Sequence, residues 1–140
     1  MRRLFADTFY WIALLNRRDR WNRRVVEVTA SLGNHHLFTT DAVFDEFLAY
    51  YSSAPTHLRQ QAGSTVRRLL NTPHMTVIEQ NREVFLQGLS LFEARPDKGY
   101  SLTDCISMNV MRKEGLTEVL SNDRHFAQEG FQLLFPASSV

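Results

Sequence analysis

The sequence predicts an α/β domain in which helices cover both faces of a parallel sheet. Short apolar runs alternate along the whole chain with segments of helical apolar periodicity. Such alternation is typical of βαβ units, whose right-handed connections bring the carboxyl ends of the strands to one edge. The 140 residues contain no repeat, linker or low-complexity stretch. We therefore expect one three-layer α/β/α domain over residues 1–140 with four or five strands.

The first half of the chain predicts two strands and four helices. Asp19 is placed to cap the second helix and Gly33 to stop it. Thr40 is placed to cap the third helix, and Pro55 marks its end. In order, the elements are a strand at 4–6, a helix at 8–16, a helix from Asp19 to Leu32, a strand at 35–40 and helices at 41–53 and 56–70.

The second half predicts two further strands, a candidate fifth strand and two long helices. Pro96 to Gly99 form a turn, Ser101 opens the last long helix and Gly115 stops it. The elements are a strand at 76–78, helices at 82–94 and 101–114, a strand at 117–121, one helical turn after Asp123 and a candidate strand at 131–135.

Composition excludes several classes of protein. The longest apolar run, from Phe9 to Leu15, is far shorter than the roughly 20 residues that span a bilayer. Asp7 interrupts the N-terminal apolar stretch and no small-residue cleavage site follows it, which argues against a signal peptide. With Cys105 as the only cysteine, an intrachain disulfide and a thiolate metal cluster are both excluded. We expect a cytoplasmic protein. Neither glycine-rich nucleotide-binding motif occurs.

Positive charge is concentrated near the N-terminus. The whole chain has a net charge of +1, but seven arginines and two aspartates give +5 over residues 1–24. Two interpretations remain open, a solvated helix face or a surface that meets phosphate or an acidic partner. The arginines are Arg2, Arg3, Arg17, Arg18, Arg20, Arg23 and Arg24.

Four carboxylates fall where the predicted sheet ends. Asp7 follows the first strand, Asp123 follows the fourth, and Asp104 lies in the first turn of a helix. Glu46 reaches the same edge if its helix leans over it. Each acid has a structural alternative as a helix cap, and Ser101 with Asp104 has the spacing of a capping box. Asp45 competes with Glu46, although the helical apolar face favours Glu46.

Four carboxylates at one edge indicate a metal site. Clustered carboxylates repel one another and resist ionisation together, and a divalent cation removes that cost. Mg²⁺ and Mn²⁺ prefer oxygen ligands and can activate water for attack on phosphorus. No serine–histidine or cysteine–histidine nucleophile set is needed for such chemistry.

The same motifs resemble those of the PIN domain, in particular the single-domain bacterial ribonucleases of the VapC toxin type. The resemblance covers essentially the whole chain, with four motifs in order and a final Gly130-Phe131. The motifs are Asp7-Thr8, Phe44-Asp45-Glu46-Phe47, Ser101-Leu102-Thr103-Asp104-Cys105-Ile106 and Ser121-Asn122-Asp123-Arg124-His125-Phe126.

The resemblance implies a strand order of 3-2-1-4-5 and a Mg²⁺- or Mn²⁺-dependent endoribonuclease. It implies that a metal-activated water hydrolyses RNA phosphodiester bonds and that Asp7, Glu46, Asp104 and Asp123 are both the catalytic and the metal-binding residues. Thr8 and Ser121 match hydroxyl positions that order the site, although Ser121 stands where the family often has threonine. The implied partners are a small antitoxin, whose tail commonly offers an arginine to the acids, and a second copy of the chain.

Other residues receive separate expectations. Residues Arg17, Arg18, Arg20, Arg23 and Arg24 flank the proposed site, and we hypothesise that they guide RNA phosphates to it. His125 is expected in a helix turn or in packing, with contact to substrate phosphate as the alternative. Trp11 and Trp21 are expected in core or dimer packing, with stacking on bases as the alternative, and Cys105 is expected in the core.

Alternative functions differ in what they need from the acids. A PIN nuclease of RNA processing would use the same site without being a toxin. A non-catalytic module that binds RNA or protein would not need four mutually repelling acids. An aspartyl-phosphate enzyme or receiver domain needs a second acid close to the first, and Asp7-Thr8-Phe9 lacks it.

Overall fold

Five parallel strands form one sheet in the computed structural model, which describes residues 1–136. The sheet order is β3-β2-β1-β4-β5, which confirms the α/β class and the order implied by the resemblance. Residues 137–140, the end of the predicted domain, lie outside the described residues. The strands are β1 (Arg2–Ala6), β2 (His35–Thr40), β3 (Met75–Ile78), β4 (Glu118–Leu120) and β5 (Gln132–Leu133).

Seven helices connect the strands within residues 1–136. No helix in this described part is long and apolar enough to cross a membrane. The helices are α1 (Thr8–Leu15), α2 (Asn22–Ser31), α3 (Asp41–Tyr50), α4 (Thr56–Leu70), α5 (Arg82–Ala94), α6 (Leu102–Glu114) and α7 (Arg124–Gln128).

Strand β1 is the centre of the sheet. Leu4, Phe5 and Ala6 are all fully buried. Because successive strand residues point to opposite faces, three buried neighbours mean that both faces of β1 are covered. The strand pairs with β2 on one side and with β4 on the other. Asp7 follows directly, so its backbone is held at the end of the central strand, where its N–H donates to the Leu120 carbonyl.

The start of α2 differs from the prediction. Asp19 does not cap this helix, which begins at Asn22. Instead, Asp19 Oδ1 accepts a hydrogen bond of 2.8 Å from the Trp21 N–H and closes a turn. The Asn22 side chain donates to the carbonyls of Ala13 and Leu14, so it caps the end of α1. Burial of the Trp21 ring against Phe9 holds this turn in place.

A close helix contact fixes the position of α6. Gly88 is the buried residue of α5, and a Cβ added there would lie 2.5 Å from Cγ1 of the buried Ile106. Glycine therefore lets α5 approach α6 closely. At its own ends, α6 has the predicted capping box at Ser101 and a left-handed Gly115 with φ of 69°. These contacts determine where the first turn of α6 lies.

Candidate metal centre

A cleft of about 700 Å³ opens beside the carboxyl ends of β1 and β4. All four predicted acids, Asp7, Glu46, Asp104 and Asp123, line it together. They come from the end of β1, from α3, from the first turn of α6 and from the loop after β4. The fold therefore brings together side chains that are up to 116 positions apart in the sequence.

Asp7 is the buried member of this cluster. Only 6% of the residue is exposed, and its Oδ2 accepts a hydrogen bond of 2.8 Å from Ser121 Oγ. Burial raises the pKa of Asp7 to about 7 against the lowering effect of the Ser121 hydrogen bond, and the charges of Asp104 and Glu46 raise it further. Although Asp7 immediately precedes α1, its side chain does not cap that helix. The capping interpretation is wrong for this residue.

Two hydroxyl groups lie close to the acids, Ser121 behind the cleft and Thr8 in its wall. Ser121 is fully buried, and its Oγ also accepts a hydrogen bond of 3.1 Å from the Asp123 N–H. One hydroxyl therefore connects Asp7 with the loop that carries Asp123. Thr8 lines the same cleft, and its buried Oγ1 has no hydrogen-bond partner among residues 1–136. A buried hydroxyl without a hydrogen bond destabilises the fold, so a bound cation or its water would offset that cost by contacting Thr8 Oγ1.

Asp104 and Asp123 both cap helices and line the cleft. Ser101 Oγ accepts from the Asp104 N–H at 3.0 Å, and Asp104 Oδ2 accepts from the Ser101 N–H at 3.0 Å. Asp123 Oδ1 accepts from the His125 N–H at 2.9 Å at the start of α7. The capping interpretation is correct for these two acids. It does not compete with a role in the site, because the caps themselves fix both carboxylates in the cleft.

Glu46 and Asp45 face different spaces. Glu46 lines the cleft that contains Asp7, and it also borders a neighbouring groove of about 500 Å³. Asp45 lines only the neighbouring groove. The negative charge of Glu46 also contributes to the raised pKa of Asp7. Of the two adjacent acids, Glu46 is the one that the structure brings to the other three.

His125 lies closer to the acids than the sequence indicated. Its Nδ1 is 3.3 Å from Asp104 Oδ2 and 3.4 Å from Asp123 Oδ1. The Tyr100 ring packs on the imidazole with centroids 5.1 Å apart. Packing was the expected role and is present, but the cluster with two acids was missed. The spacing of Asp123 and His125, two residues apart at the start of a helical turn, was the available clue.

The donor set fits a hard divalent cation. Four carboxylates and the Thr8 hydroxyl line the cleft and supply oxygen ligands, which Mg²⁺ and Mn²⁺ prefer. Without a cation, ionised carboxylates in one cleft repel each other, and this repulsion adds to burial, the main cause, in raising the pKa of Asp7. Asp104, Asp123 and His125 additionally offer two oxygens and one nitrogen that all lie within 4.8 Å of one another.

The five arginines predicted to bind RNA are exposed but do not line the cleft. Arg23 and Arg24 approach Glu27 at 3.4 and 3.9 Å. The cleft-lining arginine of residues 1–136 is Arg124, which sequence reasoning missed although it directly follows Asp123. The loop at residues 16–21, which carries Arg17, Arg18 and Arg20 and is called the basic loop below, still reaches the rim of the cleft. Phe9 lines the cleft and packs edge-on against Trp21 of this loop, with ring centroids 5.3 Å apart. The arginines predicted to bind RNA are Arg17, Arg18, Arg20, Arg23 and Arg24, each on the surface.

The expected core residues lie in the core. Trp11 and Trp21 are 3% and 6% exposed, so neither ring is available to stack on a base. Cys105 is fully buried, and burial raises the pKa of its thiol to about 11. A thiol with that pKa is protonated at neutral pH and is a poor nucleophile.

Comparisons with known proteins agree with this architecture. VapC20 of Mycobacterium tuberculosis, described as a sarcin–ricin loop cleaving toxin, is 22% identical with a TM-score of 0.80, over 91% of this chain and 95% of that one. VapBC2 of Rickettsia felis, solved with a DNA fragment from its promoter, is 15% identical with a TM-score of 0.63, over 94% and 96%. FitAcB of Neisseria gonorrhoeae is 16% identical with a TM-score of 0.62, over 93% and 95%. These likenesses show a shared fold.

Comparison with curated protein sequences gives no match. The family whose sequence pattern matches is the PIN domain, over residues 4–131. That span runs from the middle of β1 past β4 and α7 and contains all four acids of the cleft. The chain therefore belongs to the PIN-domain family.

Proposed function

We propose that the chain is a cytoplasmic, Mg²⁺- or Mn²⁺-dependent endoribonuclease that hydrolyses RNA phosphodiester bonds. The observation that carries this proposal is the convergence of Asp7, Glu46, Asp104 and Asp123 on one open cleft at the edge of the sheet. Structural cores avoid such clusters, since each added carboxylate raises the cost of ionising the others. In a cation-dependent active site, the bound ion offsets this repulsion and the carboxylates serve as its ligands.

The chain's own residues perform distinct tasks in this proposal. Asp7 supplies a carboxylate whose position is fixed by β1 and by the Ser121 hydrogen bond. Asp104 and Asp123 are oriented by their helix caps, and Glu46 closes the cleft from α3. Arg124 lines the cleft with a positive charge suited to a phosphate group. When bound, a divalent cation supplies a water of lowered pKa and neutralises charge on the phosphate.

We also propose that the protein is the toxin of a toxin–antitoxin pair and forms a homodimer. Support comes from the VapBC and FitAB-type complexes among its structural neighbours. The surface carries large apolar side chains that protein partners could cover, among them Tyr50, Leu70, Leu86 and Phe92, each about half exposed.

A matched pair of variants on α3 tests the proposed site. We expect Glu46→Gln to lower RNA cleavage at least about tenfold, because a ligand of the cation is lost. Asp45→Asn, the same change of charge one residue away, should stay within about twofold, because Asp45 lines only the neighbouring groove. The measurement is the initial cleavage rate of a sarcin–ricin loop RNA and of an unstructured RNA, with Mn²⁺ or Mg²⁺.

The outcomes separate the alternatives. Equal rates for the two variants would reject the placement of Glu46 in the catalytic site. If the unmodified protein cleaves neither RNA with either metal but still binds RNA or a protein partner tightly, the chain is a non-catalytic binding module. Undiminished cleavage in excess chelator would reject metal dependence.

The basic loop predicts a salt-dependent effect on RNA binding. Replacing Arg18 and Arg20 together by Glu should weaken RNA binding at least about tenfold at low salt, since both lie on the exposed loop beside the cleft rim. The slope of log affinity against log salt should fall by about 1.4, or about 0.7 for each lost phosphate contact on a single strand. The control is Arg67→Glu with Arg68→Glu, an exposed pair on α4 away from the cleft. An equal loss in both double variants would reject a specific role for the loop.

A further inference from the structure

The geometry points to His125 as a nitrogen ligand of the bound cation. We infer that its Nδ1 joins carboxylate oxygens of Asp104 and Asp123, so that the site selects Mn²⁺ and related transition ions over Mg²⁺. This inference rests on the proposed metal-dependent function. A histidine ligand is absent from the predicted set of four acids, and its nitrogen favours Mn²⁺ over Mg²⁺.

The distances around Nδ1 suit shared coordination better than a direct ion pair. Nδ1 lies 3.3 Å from Asp104 Oδ2 and 3.4 Å from Asp123 Oδ1. Charge-assisted N–H···O contacts are shorter, about 2.7 to 2.9 Å. By contrast, neighbouring donor atoms around one ion with bonds of about 2.1 Å are separated by about 3.0 Å in octahedral and 3.4 Å in tetrahedral geometry. The nitrogen is therefore spaced from both carboxylates as a fellow ligand would be.

The imidazole is held in this position from two sides. Asp123 Oδ1 accepts the backbone N–H of His125, which places the residue in the first turn of α7. The Tyr100 ring packs against the imidazole, and the Tyr100 hydroxyl donates to Glu129 Oε2 at 2.8 Å. Metal-binding histidines in proteins are normally oriented by such outer contacts. About a quarter of the His125 side chain remains exposed, and the residue lines the cleft.

A nitrogen ligand changes which cation the site prefers. Mg²⁺ is held by carboxylates, phosphate and water and rarely accepts imidazole, whereas transition ions bind nitrogen and oxygen together. Two carboxylates and one imidazole form such a mixed donor set. The unpaired Thr8 Oγ1 in the same cleft provides a further oxygen for the cation or its water.

Pulsed EPR of Mn²⁺ bound to the full-length protein tests the assignment directly. Protein labelled only at histidine with ¹⁵N should show a nitrogen coupling that differs from that of the unlabelled protein. His125→Asn should remove the coupling and weaken Mn²⁺ binding about tenfold in calorimetry, with Mg²⁺ binding changed less than about twofold. His57→Asn, on the exposed surface of α4, should leave the coupling and both affinities unchanged.

Mn²⁺ that binds the wild-type protein without histidine coupling overturns the role of His125 and leaves the proposed nuclease intact. The same holds if the coupling persists in His125→Asn. A wild-type protein that binds neither Mn²⁺ nor Mg²⁺ overturns the proposed metal-dependent function together with the inference. The labelled wild-type spectrum decides the question even if His125→Asn folds poorly.

Discussion

Replacing Asp7 by Asn should abolish RNA cleavage and, at the same time, stabilise the metal-free protein at neutral pH. Loss of groups that only support a metal ligand costs about 10- to 100-fold in activity, so removal of the central carboxylate itself should cost more than about 100-fold. The fold should survive, because Asn has nearly the same shape and its carbonyl oxygen can still accept the hydrogen bond from Ser121 Oγ.

The gain in stability follows from the pKa of the buried acid. Burial raises the pKa of Asp7 to about 7 in the folded protein, well above its ordinary value. A raised folded pKa means that the native state binds the proton more tightly than the unfolded state does. The contribution to stability is therefore full at low pH and is lost as the pH rises from about 4 to about 7. Above pH 7 the metal-free protein bears the full cost of a buried charge, on the order of 2 kcal/mol after partial solvation is allowed for.

Thermal unfolding in chelator at pH 5 and pH 8 measures this effect. Asp7→Asn should melt higher than the wild type at pH 8, and the difference should be smaller at pH 5. Asp97→Asn is the control, because that side chain is three-quarters exposed in the turn before α6. Added Mn²⁺ should reverse the order by stabilising the wild type alone. Retention of full cleavage in Asp7→Asn would remove Asp7 from the site.

The strands and the positions of three acids could be predicted because each depends on local pattern. A buried run that ends in Asp7 predicts a strand edge, and the spacing from Ser101 to Asp104 predicts a helix start. Both features are determined by neighbours in the sequence. Parallel topology then brings such edges together without further information. This is why the fold class and the grouping of Asp7, Asp104 and Asp123 could be predicted from pattern.

Features that depend on tertiary packing could not be predicted in the same way. Asp19 has a residue type that favours helix caps, but burial of Trp21 moves the helix start to Asn22. The choice between Asp45 and Glu46 depended on how α3 leans over the sheet. Local periodicity favoured Glu46 only weakly. In the structure, Glu46 lines the cleft with the other three acids and Asp45 does not.

The cluster around Glu129 has no sequence pattern at all. Its three partners, Arg95, Tyr100 and Arg112, lie 34, 29 and 17 positions away, and no motif relates them. These partners come from the end of α5, the loop before α6 and α6 itself, so tertiary packing brings them to Glu129 at the end of α7. Through Tyr100 this cluster reaches the imidazole of His125, so a contact outside the four acids bears on the geometry of the site.

Replacing Glu129 by Gln should cause a large loss of stability for a change of one charge outside the cleft. The Glu129 side chain is only 6% exposed and accepts hydrogen bonds from Arg112 Nη2 at 2.7 Å, Tyr100 Oη at 2.8 Å and Arg95 Nε at 3.1 Å. Burial opposes ionisation, but the three donors together outweigh it and lower the pKa of Glu129 to about 2. Burial and Glu129 together raise the pKa of Tyr100 to about 12, so the phenol remains a donor.

The sign of the pH dependence is opposite to that of Asp7. Because the folded pKa of Glu129 is lowered, its contribution to stability is full above its ordinary pKa and is lost as the pH falls towards about 2. Gln removes the buried charge that three donors share and leaves the partly exposed guanidinium groups of Arg95 and Arg112 without their counter-charge. We therefore expect a loss of about 3 kcal/mol at pH 7. For a chain of this length that corresponds to a decrease in Tm of about 10 °C.

Glu118→Gln supplies the matched control for this cluster. Glu118 also receives two hydrogen bonds from one arginine, Arg2, at 2.9 and 2.7 Å, but that pair is partly exposed. Exposed ion pairs contribute about 0 to 1 kcal/mol, so the change should cost less than about 1 kcal/mol. Chemical unfolding at pH 7 and pH 3 compares both variants with the wild type. Equal losses at the two positions, or a Glu129→Gln loss that does not shrink at pH 3, would contradict a stabilising role for the ionised Glu129 cluster.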